Sequence, residues 1–242
     1  MTRAAALSVL DPLNQRPYSI IRSAIACARP VYPEDVSRRK KCRAARRIWN
    51  ESSPVKGTPV EVYLEAHGIK VTDDLNDVIR AHPAVLHEPT NVYFPTLVAA
   101  VRDINGKFTG VHRTYLKPES NKQVQAAKPR LLGDCFGSFV QFDRLESHKM
   151  IMAPTLETAL FIHQACPEYA VWSSMTRGNM KAPVPKNIRE IIFCVDHDND
   201  DDPHNSQKMV NDAIRAHEER GQHIKLAQPP LGWRFQDMYS AE

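Results

Sequence analysis

The chain has 242 residues, 42% hydrophobic and 25% charged, which is ordinary for a globular protein with one large core or two small ones. No apolar run approaches the ~20 residues that span a bilayer, and "MTRAAALSVLDPLNQ" makes a poor signal peptide, so no membrane partner and a cytoplasmic location are expected. Five cysteines without a CxxC argue against a zinc ribbon or disulfide framework and for reduced, structural thiols. The net charge of +4 is uneven: residues 1–150 carry 23 Lys/Arg against 15 Asp/Glu, whereas residues 151–242 carry 9 against 13. A polyanion-binding surface beside a cation-binding one would explain that split, and so would two solvated surfaces.

In chain order, residues 1–33 hold four prolines and little periodicity, which predicts an extended arm. "SRRKKCRAARRIWNES" places Cys42, Ala45 and Trp49 at helical spacing. Seven Lys/Arg between Arg38 and Arg47 surround that stripe, and Arg43, Arg46 and Arg47 are candidate phosphate contacts. In "GTPVEVYLEAHG", Thr58 caps a helix, Pro59 suits its first turn, Glu61 completes a capping box and Gly68 ends it. Beyond Pro95 the period becomes two. Asn105-Gly106 predicts a hairpin whose second strand carries Arg113 and Tyr115 on one face. "KPRLLG" adds another strand. From residue 149 strand and helix alternate: "KMIMA", "LETALFIHQAC", "YAVWS", "REIIFCV", "SQKMVNDAIRAHEE" and "HIKLAQ". This βαβ pattern predicts a mainly parallel four-stranded sheet flanked by helices, with a ligand site beyond the carboxyl ends of its strands. The expected organisation is an α/β chain: an arm over 1–33, a smaller basic α+β domain over 34–146, and an α/β domain over 147–242.

The third of these strands runs straight into "DHDNDDDPHNS". On a strand continuing through residue 198, Asp196 and Asp198 would share a side, and two close carboxylates call for a cation. Mg²⁺ with Asp196 and Asp198, and Asp200 in support, is one reading; a polar helix-leading loop is the other. The spacing resembles a calcium loop, but Asp201 stands where that loop needs glycine.

From about residue 40 the chain resembles the Toprim-containing primase proteins of phages, plasmids and integrated mobile elements. The resemblance lies in "ARRIWNESSPVKGTPVEVYLEAHGI", "VIRAHPAV", "FPTLVAAVRDINGKFTGVHRTYL", "AKPRLLG", "LETAL", "FCVDHD" and "PPLGWRFQDM". It implies a Toprim-like C-terminal domain that binds Mg²⁺ or Mn²⁺ and acts on phosphodiesters, with its DxD at Asp196 and Asp198. The accompanying glutamate does not carry over: Pro154 stands in its place and Thr155 replaces the adjoining glycine. Glu157 lies one helical turn further on and is expected to face elsewhere. Arg234 stands where the closing motif has an acid, which exchanges cation affinity for phosphate affinity. Paired Cys/His spacing and a GxxxxGK[ST] loop are both missing, so the chain reads as the central piece of a primase.

Two functions follow. One is a catalytically degenerate binder of DNA or RNA, expected single-stranded, acting as a replication accessory or in counter-defence, with a possible protein partner. The other is an active metal-dependent primase or nuclease working at Asp196 and Asp198. Arg113, Tyr115, Lys117, Lys128 and Arg130 are the candidate nucleic-acid contacts of the β-rich part. Tyr115, Phe136 and Trp49 are stacking candidates that more often belong to a core. His112 reads as a strand-surface residue, His197 as packed, and His204 as a remote metal candidate.

Overall fold

The computed structural model describes residues 33–119, 122–143, 146–196 and 203–239. Residues 1–32 of the expected arm therefore lie outside the described residues, as do His197, Asp198 and Asp200. From Arg38 onward the chain packs into one unit containing two sheets.

Helix α1 (Pro33–Glu51) presents Ala45 and Trp49 to the first sheet, as their i, i+4 spacing requires. Helix α2 (Pro59–Glu65) opens on Thr58, whose hydroxyl accepts from the Val60 N–H. The Glu61 carboxylate accepts from the Gly57 N–H at 2.6 Å, one residue earlier than a capping box would have it. Gly68 takes φ 71, and the Ile69 N–H then returns to the Leu64 carbonyl, closing the helix.

The first sheet contains β1 (Ile79–His87), β2 (Val92–Arg102), β3 (Phe108–Glu119), β4 (Lys122–Gln125) and β5 (Arg130–Gly133). β1, β2 and β3 pair antiparallel in order, and the long β3 then divides its partners. Gly110–Arg113 pair with β5, and Leu116–Glu119 with β4. Register places Leu97, Ala99, His112, Thr114 and Leu116 on one face and Val98, Ala100, Val111, Arg113 and Tyr115 on the other. The second face lies under α1, while the first packs with α2 and the second half of the chain. His112 is consequently buried, 4% exposed, and not the surface residue its strand position suggested.

Paired hydrogen bonds between Arg102 and Phe139, both 2.8 Å, lead into the second sheet. Its strands are β6 (Val140–Gln141), β7 (Lys149–Ala153), β8 (Ala170–Ser173), β9 (Glu190–Cys194) and β10 (His223–Ala227), in the order β10-β9-β7-β8-β6. The four predicted strands run parallel, and β6 adds a fifth, antiparallel edge strand, so the sheet is mixed. Alternation along β7 sends Ile151 and Ala153 towards α3 (Leu156–Ala165). Met150 and Met152 point towards α4 (Pro203–Glu218). His217 ends the α4 stripe fully buried, with its ring bonded to Gln222 and the Met180 carbonyl. A short helix α5 (Phe235–Tyr239) completes the described chain. Among the described residues, no helix is long and apolar enough to cross a membrane.

Candidate functional site

The carboxyl ends of β7 and β9 open on a cleft of about 200 Å³ lined by Tyr63, Gln125, Thr155, Glu157, Thr158, Asp196 and Arg234. β9 ends at Cys194, two residues short of Asp196, which leaves Asp196 on the loop and not on a strand continued through residue 198. The Asp196 carboxylate is nearly buried, and both of its oxygens accept hydrogen bonds. The Thr158 hydroxyl donates to Oδ2 at 2.5 Å, and the Phe235 N–H donates to Oδ1 at 2.8 Å. Thr155 caps α3 by accepting from the Thr158 N–H, and its own hydroxyl donates to that of Thr158 at 2.7 Å. The result is a relay from Thr155 through Thr158 to Asp196. Arg177 adds a bond from its guanidinium to the Asp196 carbonyl at 3.2 Å.

Glu157 enters the same cleft, contrary to its expected direction. Its Oε1 accepts from the Tyr63 hydroxyl at 3.0 Å, which joins α2 to α3. Burial, together with the Glu157 charge and hydrogen bond, holds the Tyr63 phenol well above its ordinary range. Gln164, two turns along α3, repeats the junction by accepting from the Lys70 N–H and donating to the Gly68 carbonyl.

Of the three expected metal ligands only Asp196 lies among the described residues. No group of three His, Cys, Asp or Glu side chains comes together among the described residues, and Pro154 offers no ligand where a glutamate was expected. Asp196 and Glu157 are already bonded to protein donors, and the guanidinium of Arg234 lines the cleft. His204 is exposed at the start of α4.

The expected nucleic-acid contacts fall into two groups. Arg43, Arg46 and Arg47 are exposed on α1; Arg46 lies over the Phe108 ring at 3.7 Å, and Arg47 approaches Glu51 at 3.8 Å. Lys117, Lys128 and Arg130 are exposed around β3 and β5. Arg113 and Tyr115 are not: they are 3% and 0% exposed. Arg113 bonds Glu88 at 3.1 Å, Arg130 approaches the same carboxylate at 3.8 Å, and Tyr115 packs edge-on against His87 and Phe94. Burial opposes the Glu88 charge, but a backbone hydrogen bond and Arg113 outweigh it and hold the carboxyl below its ordinary value. Trp49 is also buried, with Arg80 over its ring, whereas Phe136 is 83% exposed.

Sequence reasoning missed Tyr63, Thr158 and the Phe235 N–H. Tyr63 reads only as part of an apolar stripe. The one available signal for Thr158 was a pair of threonines three residues apart where a strand meets a helix.

Residues 149–241 match the family model of the Toprim domain, and residues 39–142 match a model described as a domain of unknown function, DUF7146. No curated protein matches the chain. Among solved structures, a DNA primase domain from Pseudomonas aeruginosa is 12% identical with a TM-score of 0.54, over 84% of this chain and 75% of that one. The E. coli primase catalytic core is 14% identical with a TM-score of 0.55, over 84% and 75%. A DnaG primase catalytic domain bound to ssDNA is 14% identical with a TM-score of 0.56, over 86% and 76%. Residues 149–241 are thus similar to the Toprim domain, and the chain shares the mixed α/β fold of DnaG primase catalytic cores.

Proposed function

We propose that the protein binds single-stranded nucleic acid on its basic first half and has lost phosphoryl transfer at the Toprim cleft, serving as a replication accessory or counter-defence protein. The observation that carries the loss of turnover is the state of Asp196. A carboxylate that is nearly buried, with both oxygens taken by Thr158 and Phe235, is a structural anchor for α5. The missing glutamate at Pro154 and the guanidinium of Arg234 support the same reading. Binding is supported by the exposed cations of α1, by Lys117, Lys128 and Arg130, and by the fold shared with a DnaG domain bound to ssDNA.

One observation favours an active enzyme: Glu157 shares the cleft with Asp196, and Asp198 follows Asp196 closely in the sequence. In such an enzyme Mg²⁺ or Mn²⁺ held by Asp196 and Asp198, with Asp200 in support, would stabilise charge on the transferring phosphoryl group.

The test separates binding from turnover. Oligonucleotide affinity is measured in EDTA, and template-dependent ribonucleotide incorporation in Mg²⁺ and in Mn²⁺. Metal-independent binding that weakens with salt, without incorporation, is the expected result. Incorporation abolished by Asp196→Asn would overturn the degenerate reading in favour of the enzyme.

A further inference from the structure

At 83% exposure the aromatic ring of Phe136 is nearly bare. It is not on a loose loop. The Asp134 N–H donates to the Thr109 carbonyl at 2.9 Å, and the Ser138 N–H donates to the Cys135 carbonyl. The Gly137 N–H donates to Asn179 Oδ1 at 3.0 Å, and Asn179 Nδ2 donates back to the Ser138 carbonyl at 2.8 Å. Asn179 is itself buried, so the residues that follow the ring are held by a fixed side chain. Gly137, at φ 69, gives the backbone the reversal that leaves Phe136 at its tip.

The turn that carries this ring is joined to a cationic helix. Two residues before Phe136, Asp134 pairs with Arg38 of α1 at 3.4 Å, which ties the turn to the basic helix. Next to Arg38, the exposed Arg39, Lys40, Lys41 and Arg43 have no ion pair among the described residues. The cations occupy the middle of α1, between the acidic first turn of Glu34 and Asp35 and a last turn without cations. Exposed charges without acidic partners suit an external polyanion. The other aromatics near α1 are unavailable for stacking, since Trp49 is buried and Arg46 covers Phe108.

Building on the nucleic-acid reading above, we infer that the 134–138 turn and α1 form a seat for single-stranded nucleic acid, with the α1 cations on phosphates and Phe136 beneath a base. An unpaired base supplies the π-face that the ring lacks, and a backbone supplies the regularly spaced anions. A duplex offers only the second. This seat is distinct from the Asp196 cleft and needs no metal.

The experiment compares a fluorescein-labelled oligothymidylate with an abasic oligonucleotide of equal length by anisotropy in EDTA, using the whole chain. Phe136→Ala is expected to weaken oligothymidylate binding about 5- to 150-fold, to leave the abasic strand unaffected and to leave the salt slope unchanged. Phe136→Trp should retain affinity, which together with an unchanged melting temperature excludes a folding defect. Arg39→Ala with Arg43→Ala should flatten the salt slope by about 0.7 for each phosphate no longer neutralised. An unchanged affinity in Phe136→Ala, or an equal loss on both strands, overturns the stacking role and leaves the bare ring to a protein partner. An unchanged slope removes α1 from the path. Failure of the unmodified chain to bind either strand overturns the nucleic-acid reading itself.

Discussion

Both oxygens of the nearly buried Asp196 carboxylate are satisfied by protein donors. Each oxygen takes one short bond from the protein, and the nearer donor, the Thr158 hydroxyl, is itself fixed by Thr155. Removing that donor while keeping its shape should leave Oδ2 buried without a partner. Thr158→Val is therefore expected to destabilise the fold by about 1–3 kcal/mol in urea denaturation, with Thr158→Ser close to the unmodified chain. A neutral Thr158→Val would mean that solvent or a cation replaces the hydroxyl, and the cleft would again be open to a metal. Asp196 was legible in sequence because an apolar strand runs straight into it. Thr158 and Tyr63 were not, because their acidic partners lie 38 and 94 residues away and neither residue type announces such a contact.

Among the elements, the crossing of β3 and β5 is the most constrained. Gly133 has φ 118, and a Cβ there would collide with the Thr109 carbonyl oxygen and lie 2.6 Å from the Gly110 Cα. Both faults fall on backbone atoms with no side chain free to move. Gly133→Ala should accordingly cost about 3 kcal/mol, read as a lower urea midpoint at unchanged slope. The same crossing buries Cys135, whose thiol is pushed up to about 12 by burial, with Cys42 and Asp134 adding to it. Cys194 is likewise pushed up to about 12, chiefly by burial. Neither thiol should react with a disulfide reagent at about pH 8 until the chain unfolds, and mass spectrometry of the labelled native protein checks this. The hairpin around Asn105-Gly106 and every strand and α-helix between residues 149 and 227 were legible from local pattern; the 3-10 turn Arg177–Asn179 was not. β1 was not, because Pro83 interrupts it at a register shift and proline reads against a strand until an edge position permits it. β4 and β6 take four and two residues, too few for any period to show.

Over the whole molecule, the titratable groups held away from their ordinary pKa values tie stability to pH. His112 lies between the two sheets with its Nδ1 unpartnered among the described residues. Burial lowers its pKa below the ordinary 6.5; the Glu157 charge works in the opposite direction, and Arg113 reinforces the lowering. A histidine depressed in the fold binds its proton more readily once unfolded. The unfolded chain then takes up more protons below pH 6.5, and stability falls as pH drops through that window. Glu88 acts at lower pH with the same sign. Its carboxyl is held below the ordinary 4.5, so the stability it contributes is present above that value and is lost on further acidification. The expected profile is a stability that rises with pH up to about 6.5 and then levels. His112→Gln should remove the slope in that window while leaving the lower, Glu88 step in place. Urea denaturation at stepped pH gives both quantities. A slope that survives His112→Gln would assign the protons to another group, and a flat profile in the unmodified chain would mean that water or a rearrangement reaches His112 between the sheets.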